Sequence, residues 1–158
     1  MGNSKLKGIR ILAGMDAASL DALLEYGEIV EYATGDLIVM QGEKANAMFF
    51  LLQGKAGAYF SDPDGSEIHL RTMDDGDHFG EIGLLENGIR TANVKALEPC
   101  TLFRLDTRSF KRLLATPALA TKFLHGLGRS LAIRLAAITS RFAEERALKE
   151  HLRRHSWL

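Results

Sequence analysis

Three glycines, one carboxylate and one arginine lie close together in the sequence, in a pattern suited to a sugar phosphate. Gly80, Gly83 and Gly88 lack a Cβ atom, so backbone N–H groups near them can approach a ligand closely. Arg90 suits a phosphate because a guanidinium makes two parallel charge-assisted hydrogen bonds to phosphate oxygens. Glu81 would repel a phosphate, whereas a carboxylate readily accepts hydrogen bonds from sugar hydroxyls. This stretch therefore predicts a sugar-phosphate site.

Short strands must position this stretch. From Glu28 to Leu105, runs of β-branched and aromatic residues alternate with turn residues. The segment 67–71 alternates polar and apolar residues, as a half-buried strand does, and the Asp64-Gly65 pair before it predicts a hairpin turn. Many short strands at this spacing favour an antiparallel sandwich or barrel.

Helical periodicity marks the N-terminal part of the chain. Residues 9–26 are predicted to be helical, with Asp16 or Ser19 capping a second short helix. The whole chain is predicted to form one domain with an N-terminal helical segment, a β-barrel, and C-terminal hinge, lid and dimerisation helices, at 1–28, 29–105 and 106–158.

A second helical region follows the strands. The run 106–109 offers several candidate N-caps, and Pro117 is well placed as the first residue of a helix that reaches about His151. A helix of about 30 residues or more exceeds the mean of about 11–12, so we expect it to project or to pack on a partner helix. Its apolar residues recur at heptad-like spacing: Leu124, Gly128, Leu131, Leu135, Ile138 and Phe142.

Composition argues against several classes of protein. The 158 residues include 20 Lys+Arg and 20 Asp+Glu, so the net charge is zero, whereas a general nucleic-acid-binding surface needs a basic excess. Cys100 is the only cysteine, so no intrachain disulfide is possible. No apolar run approaches the ~20 residues of a membrane span, and the N-terminus lacks the apolar core of a signal peptide. We expect a cytoplasmic protein that binds neither a membrane nor, by itself, nucleic acid.

Histidines within the strand region raise the alternative of a cupin, a β-barrel enzyme that holds a metal. A cupin needs a His-x-His pair followed by a glutamate and a further histidine, but His69 is followed by Leu70-Arg71 and His78 stands alone. A protein metal site needs at least three converging donors. No serine, cysteine or acidic pair is arranged as a nucleophile with a base. We therefore predict no metal and no catalysis.

The stretch 79–94 resembles the phosphate-binding cassette of cyclic-nucleotide-binding domains, and the likeness extends upstream over 70–73 and 76–81. It is particularly similar to the cGMP-binding domains of cGMP-dependent protein kinases, and it also resembles the sensor half of bacterial catabolite activator proteins. The resemblance covers nearly the whole chain and implies a mainly β, jelly-roll barrel (double-stranded β-helix) with N-terminal helices and a C-terminal helix pair. It implies that Arg90 pairs with the cyclic phosphate and that Glu81 accepts the ribose 2′-OH. The remaining phosphate and ribose contacts fall on Gly80, Ile82, Gly83, Leu84 and Thr91.

Two residues bear on the choice of base. Thr91 could accept a hydrogen bond from the guanine 2-amino group, and in the family an alanine here goes with cAMP, whereas threonine goes with cGMP or dual binding. Some cAMP-selective members also carry threonine. Arg71, on the strand before the cassette, could donate to guanine O6 and N7, which are both acceptors. Candidate apolar walls for the base are Met73, Val39 and Leu70, and candidate caps on the long helix are Arg134, Thr139 and Ser140.

These observations predict a regulatory module that binds cGMP in preference to cAMP, without turnover or cofactor, and moves its C-terminal helices on binding. Its partner would be a second copy of the chain or an effector reached through the long helix. The helix-turn-helix domain of the bacterial family members has no counterpart here, so we expect a stand-alone binding protein or a regulatory domain separated from its effector. A cAMP-selective sensor and a ligand-free dimerisation module that has kept the barrel are the alternatives.

Overall fold

The strand region forms two four-stranded antiparallel sheets. The computed structural model describes residues 5–86 and 88–155. The strands are β1 (Glu28–Tyr32), β2 (Leu37–Val39), β3 (Ala47–Gln53), β4 (Ala56–Ser61), β5 (Glu67–Met73), β6 (His78–Phe79), β7 (Asn93–Ala96) and β8 (Cys100–Asp106). The helices are a 3-10 helix (Arg10–Leu12), α1 (Ala17–Leu24), α2 (Glu81–Glu86), α3 (Thr107–Leu114) and α4 (Pro117–His155).

The strand order is β1-β8-β3-β6 in one sheet and β2-β7-β4-β5 in the other. The pairings between these strands are antiparallel throughout. The predicted jelly-roll class with flanking helices is therefore confirmed. The strands nevertheless form two separate sheets rather than one closed barrel.

Strand β3 joins two hydrophobic cores because successive side chains of a strand point to opposite faces. Met48 and Phe50 pack with the helices, whereas Phe49 and Leu51 pack between the two sheets. Because β3 also pairs with β6, the start of the cassette is anchored to the strand that both cores share. The helical core takes in residues from the N-terminal segment, α1, α2, α3 and α4, among them Leu12, Leu23, Leu84, Phe110, Leu113 and Phe123.

The helix starts follow the predicted caps. Asp16 accepts a hydrogen bond from the backbone N–H of Ser19 at 2.8 Å, and Asp106 accepts one from Ser109 at 2.7 Å. The bond from Ser109 lowers the pKa of the Asp106 carboxyl. Pro117 is the first residue of α4. The predicted second short N-terminal helix is α1, and a 3-10 helix precedes it.

Helix α4 has 39 residues, so it is about 58 Å long. In its first part Leu119, Phe123 and Leu127 are buried, and a Cβ on Gly126 would lie only 1.9 Å from the backbone oxygen of Ile11. Beyond this part its large apolar side chains are exposed. Within the described residues, the helices all lack the combination of length and apolarity that a membrane span requires.

Candidate functional site

The cassette begins with a glycine that no other residue could replace without displacing its neighbours. Gly80 follows β6 with φ +82°, a left-handed conformation that favours glycine. A Cβ at Gly80 would lie 2.6 Å from Arg90 Nη1 and 3.0 Å from the Ala47 carbonyl oxygen. A Cβ at Gly83 would lie 1.9 Å from that of Ala45. The loop and the first turn of α2 are therefore packed tightly against Arg90 and the start of β3.

Gly88, the third predicted glycine of the motif, is not required by packing. A Cβ there would meet no atom within 4 Å. Its carbonyl accepts the backbone N–H of Ala45 at 3.0 Å, which ties the segment after α2 to the loop before β3.

Arg90 is a buried guanidinium, with 7% of the residue exposed. Its side chain donates to the Gly80 carbonyl at 3.5 Å, the outer limit of a hydrogen bond, and lies over the Phe49 ring at 5.8 Å from the centroid. Among residues 5–86 and 88–155 it forms no ion pair. Burial, together with the like charge of Arg104, lowers the pKa of Arg90. The site thus holds a partly desolvated cation with no ion-pair partner among the described residues, although the more distant carboxylates of Glu43 and Glu81 act on it, and such a cation favours an anionic ligand.

Glu81, the first residue of α2, is also buried, with 5% exposed. Its Oε1 accepts a hydrogen bond from Nη1 of Arg134 at 2.6 Å. Its Oε2 is buried and has no hydrogen-bond partner in the described part of the chain. One carboxylate oxygen therefore remains to accept a hydrogen bond, as a ribose hydroxyl would supply.

Two arginines from different elements converge on one backbone carbonyl. Arg71 of β5 donates from Nη2 to the His78 carbonyl at 3.1 Å, and Arg134 of α4 donates from Nη2 to the same oxygen at 3.0 Å. Burial and the like charge of Arg134 lower the pKa of Arg71. The structure therefore brings both predicted base-binding arginines to the edge of the cassette, with Arg134 also bound to Glu81.

The other predicted ligand residues differ in accessibility. Thr91 and Ile82 are exposed beside the cassette, and Leu70 is 49% exposed on β5. Met73 and Val39 instead belong to the core between the sheets, and Met73 is fully buried. Of the three candidate apolar walls, Leu70 is the one whose side chain is exposed in this structure.

The remaining predicted residues lie inside the core or on the long helix. The side chain of Leu84 packs in the helical core with 3% of the residue exposed, so it connects the cassette to the helices, and the predicted phosphate contact through its backbone amide stays a prediction. Thr139 donates its hydroxyl to the Leu135 carbonyl of its own helix at 2.9 Å, and Ser140 is exposed. Of the candidate caps on α4, Arg134 is the one that touches the cassette.

His78 is a site residue that the sequence did not single out beyond its rejection as a metal ligand. It is 2% exposed, and its Nε2 atom has no hydrogen-bond partner among the described residues. Burial, with the positive charges of Arg134 and Arg71, lowers the pKa of His78 to about 3. It is therefore neutral at pH 7. Its position directly before Phe79 and the cassette was the only indication available in the sequence.

A metal centre finds no support among the described residues. No group of three His, Cys, Asp or Glu side chains there is arranged to hold a metal ion. His69, the other histidine of the strand region, lies 3.1 Å from the hydroxyl of Thr72 and packs against the Tyr59 ring.

Comparisons with known proteins give a consistent result. Residues 29–117 match the family model described as Cyclic nucleotide-binding domain. A cAMP-activated global transcriptional regulator from Pasteurella multocida is 33% identical over 97 residues, covering 61% of this chain and 46% of that protein. Isozyme 1 of the cGMP-dependent protein kinase of Drosophila melanogaster is 33% identical over 112 residues, covering 69% of this chain and 15% of that protein. This chain thus spans less than half the length of either relative.

A solved structure shares the fold. The catabolite activator protein of Thermus thermophilus has a TM-score of 0.77 at 27% identity, and the match covers 85% of this chain and 62% of that one.

Proposed function

We propose that this chain, which belongs to the cyclic nucleotide-binding domain family, binds its cyclic nucleotide at the cassette, with the phosphate at Arg90 and the ribose at Glu81. The resemblance stated from the sequence is confirmed, and the chain is a regulatory sensor domain. The site residues, the preferred base, the partner and the cytoplasmic setting are our proposals.

The buried guanidinium of Arg90, which has no ion-pair partner among the described residues, carries the proposed site. Desolvating a guanidinium without a counter-charge is costly, and natural proteins usually pair such a group. Gly80 and Gly83 hold the loop close to the guanidinium, so its Nη1 atom would clash with a side chain at Gly80. A cyclic phosphate would provide a negative charge next to Arg90 and accept hydrogen bonds from backbone N–H groups at the start of α2.

The ribose would supply a hydrogen bond that the Glu81 carboxylate lacks. Oε2 of Glu81 is buried without a donor, and a ribose 2′-OH would supply one. Arg134 already occupies the other carboxylate oxygen, Oε1, so Oε2 is the atom left for the ribose.

For the base, we propose a preference for cGMP over cAMP. Thr91 is exposed next to Arg90 and can accept from the guanine 2-amino group. Arg71 uses one of its five donors on the His78 carbonyl, which leaves others for guanine O6 and N7. The names of the relatives include both nucleotides, so they do not favour either base. A cAMP-selective sensor is the alternative.

We further propose that the ligand moves α3 and α4. Leu84 of α2 shares one core cluster with Phe110 and Leu113 of α3 and with Phe123 of α4. A shift of the cassette onto a phosphate would displace Leu84 and oblige these close-packed side chains to rearrange. Arg134 would also be displaced when the cassette shifts, because it is hydrogen-bonded directly to Glu81. The ligand can drive this change only through its different affinities for the two arrangements.

The exposed part of α4 is the proposed partner surface, with a second copy of the chain as the partner. Large apolar side chains there are from 59% to 66% exposed: Ile133, Leu135, Ile138, Phe142, Leu148 and Leu152. Three of them, Leu135, Ile138 and Phe142, follow the four- and three-residue steps of a coiled-coil seam. Phe142→Glu should make a dimer monomeric in analytical ultracentrifugation. A wild-type chain that is monomeric at micromolar concentration, with and without cGMP, would contradict this.

Isothermal titration calorimetry with cGMP and cAMP tests the site and the base together. We expect Arg90→Gln to weaken binding by roughly 100-fold or more, the loss expected from two charge-assisted hydrogen bonds. Arg108→Gln, at an exposed arginine on α3, is the matched control and should bind as wild type. Circular dichroism checks that Arg90→Gln still folds, and Arg90→Lys keeps the charge at the site if it does not.

The same titrations separate the alternatives. Thr91→Ala should weaken the binding of cGMP by roughly tenfold, as for one lost hydrogen bond, and leave the affinity for cAMP unchanged. Tighter binding of cAMP by the wild type would overturn the base preference. No heat with either nucleotide would favour the ligand-free dimerisation module.

A further inference from the structure

Three polar side chains meet at the end of the sheet where the cassette joins β7. In the order β2-β7-β4, both outer strands end beside the start of β7, because β7 runs antiparallel to each of them. Asn93 is the first residue of β7, Ser61 is the last residue of β4, and Gln41 follows β2 by two positions. We refer to Gln41, Ser61 and Asn93 as the polar cluster.

The side-chain amide of Gln41 pairs with the backbone of Ser61 as a neighbouring strand would. Its Nε2 atom donates to the Ser61 carbonyl at 3.0 Å, and its Oε1 atom accepts a hydrogen bond from the Ser61 N–H at 2.8 Å. Both ends of the amide are therefore used. The pair joins the chain after β2 to the end of β4, beyond the point where β7 separates the two strands.

Asn93 holds the same two residues from the end of β7. It is buried, and its Oδ1 atom accepts a hydrogen bond from the backbone N–H of Gln41 at 2.8 Å. Its Nδ2 atom donates to the hydroxyl of Ser61 at 2.8 Å. Breaking these bonds would leave buried polar groups without partners, so the cluster fixes the position of Gln41.

The two residues after Gln41 hold the backbone of Arg90. The Gly42 N–H donates to the Arg90 carbonyl at 2.9 Å, and the Arg90 N–H donates to the Glu43 carbonyl at 2.7 Å. Both backbone groups of Arg90 are therefore hydrogen-bonded to a loop that begins at the polar cluster.

We propose that the polar cluster positions the Arg90 guanidinium for the phosphate, with Gln41 as the principal positioning residue. This inference rests on the proposed nucleotide site. The side chain of Arg90 has a hydrogen bond at the outer limit, to the Gly80 carbonyl, and a contact with the Phe49 ring. Its placement therefore depends strongly on its backbone. Gln41 acts on the phosphate through Arg90 and makes no ligand contact of its own.

Amide hydrogen exchange without nucleotide tests the structural step. Gln41→Ala should speed the exchange of the Gly42 and Arg90 amides by roughly tenfold or more, as for a lost hydrogen bond. The Leu97 amide, bonded to the Lys55 carbonyl at 2.8 Å, should exchange as in wild type. Gln53→Ala, at the exposed last residue of β3, is the matched control and should change none of these rates.

Unchanged rates at Gly42 and Arg90 in Gln41→Ala would overturn the proposal, and so would an equal increase at Leu97, which would mean general loosening of the fold. Ser61→Ala removes only the bond from Asn93. It is the milder variant if Gln41→Ala does not fold, and it should shift the Gly42 and Arg90 rates in the same direction by a smaller factor.

A double-mutant cycle with Arg90 tests whether the cluster acts through the guanidinium. In calorimetry with cGMP, Gln41→Ala should weaken binding roughly tenfold or more, since misplacing a binding group by about 1 Å can cost as much as 100-fold. In an Arg90→Gln background the same change should cost less than about twofold, because the positioned group is gone.

Equal losses in the two backgrounds would give Gln41 a general structural role and overturn the proposal. Wild-type cGMP affinity in Gln41→Ala, with faster exchange at Arg90, would overturn it as well. Wild-type affinity in Arg90→Gln alone would instead refute the proposed phosphate site, and the exchange rates would still show whether the cluster holds Arg90.

Discussion

The first and second parts of α4 belong to one continuous helix but have different surroundings. In residues 117–131 Leu119, Phe123 and Leu127 pack into the core shared with α1, α3 and β3, and Leu124 is the large apolar side chain that stays exposed. In residues 132–155 the apolar side chains are exposed in this chain. Arg134, at the junction, reaches the cassette through Glu81.

Because their surroundings differ, the two parts of α4 depend on different sources of stability. Most helical stability in proteins comes from packing an apolar face, so residues 117–131 are fixed by the fold itself. Residues 132–155 must rely on intrinsic propensity or on contacts from outside the domain. A region with few buried contacts is the natural one to change position when the cassette binds a ligand.

Two phenylalanines on α4 give the largest expected contrast. Phe123 is 0% exposed and Phe142 is 60% exposed. Phe123→Ala should lower the free energy of unfolding by about 3–5 kcal/mol, whereas Phe142→Ala should change it by less than about 0.5 kcal/mol. Urea unfolding at a concentration where the chain is monomeric measures both. Similar losses in the two variants would break the distinction between the parts.

Two glycines of the first part test how closely it is docked. A Cβ on Gly126 would meet the Ile11 backbone oxygen, which cannot move aside as a side chain can, whereas a Cβ on Gly128 would meet nothing within 4 Å. Gly126→Ala should therefore lower the free energy of unfolding by about 1–3 kcal/mol, as overpacking does. Gly128→Ala should stabilise by up to about 1 kcal/mol, since alanine is the better helix former. Thermal unfolding measures the pair, and a stabilising Gly126→Ala would show that the helix does not lie against Ile11.

His78, which Arg134 contacts from the junction between the two parts, should make the free energy of unfolding depend on pH. The pKa of His78 is about 3 in the fold, against 6.5 for the ordinary side chain. Between these values the unfolded chain binds a proton that the folded chain does not, so stability rises with pH and is lost as pH falls below 6.5. The contribution approaches about 1.4 kcal/mol per pH unit within that window.

Urea unfolding at pH 7, 6, 5 and 4 measures this slope. His78→Gln keeps a neutral polar side chain, and it should reduce the slope by up to one proton. An unchanged slope in His78→Gln would assign the acid sensitivity to other groups.

Local chemistry made much of the fold predictable. Asp16, Asp106 and Pro117 act on neighbouring backbone groups, so their positions at helix starts follow from the sequence. The cassette was predictable because Glu81 and Arg90 belong to one short motif. In contrast, the two-residue strand β6 is too short to have a periodicity of its own.

Long-range contacts account for what could not be predicted. Arg134 pairs with Glu81 across 53 residues of sequence, and no local pattern indicates this partner. The heptad-like pattern ran through Leu124 and Leu131 as well as Leu135, and spacing alone did not show where the helix leaves the core. Leu131 packs against that core, whereas Leu135 is 66% exposed. The site assignments and the base preference stay predictions until ligands are titrated.

The central claim is that ligand binding at the cassette moves the second part of α4 relative to the sheets. Spin labels at Ser66→Cys, on the turn before β5, and Ser140→Cys would report this distance in pulsed electron resonance, in a Cys100→Ala background. Labels at Ser66→Cys and Ala118→Cys, in the first part, form the control pair. Excess unlabelled chain removes distances between copies.

With saturating cGMP, we predict that the 66–140 distance distribution shifts by more than the 66–118 distribution, because residue 118 lies in the part of α4 that is packed in the core. Unchanged distributions for both pairs, under conditions where calorimetry shows full binding, would contradict the claim.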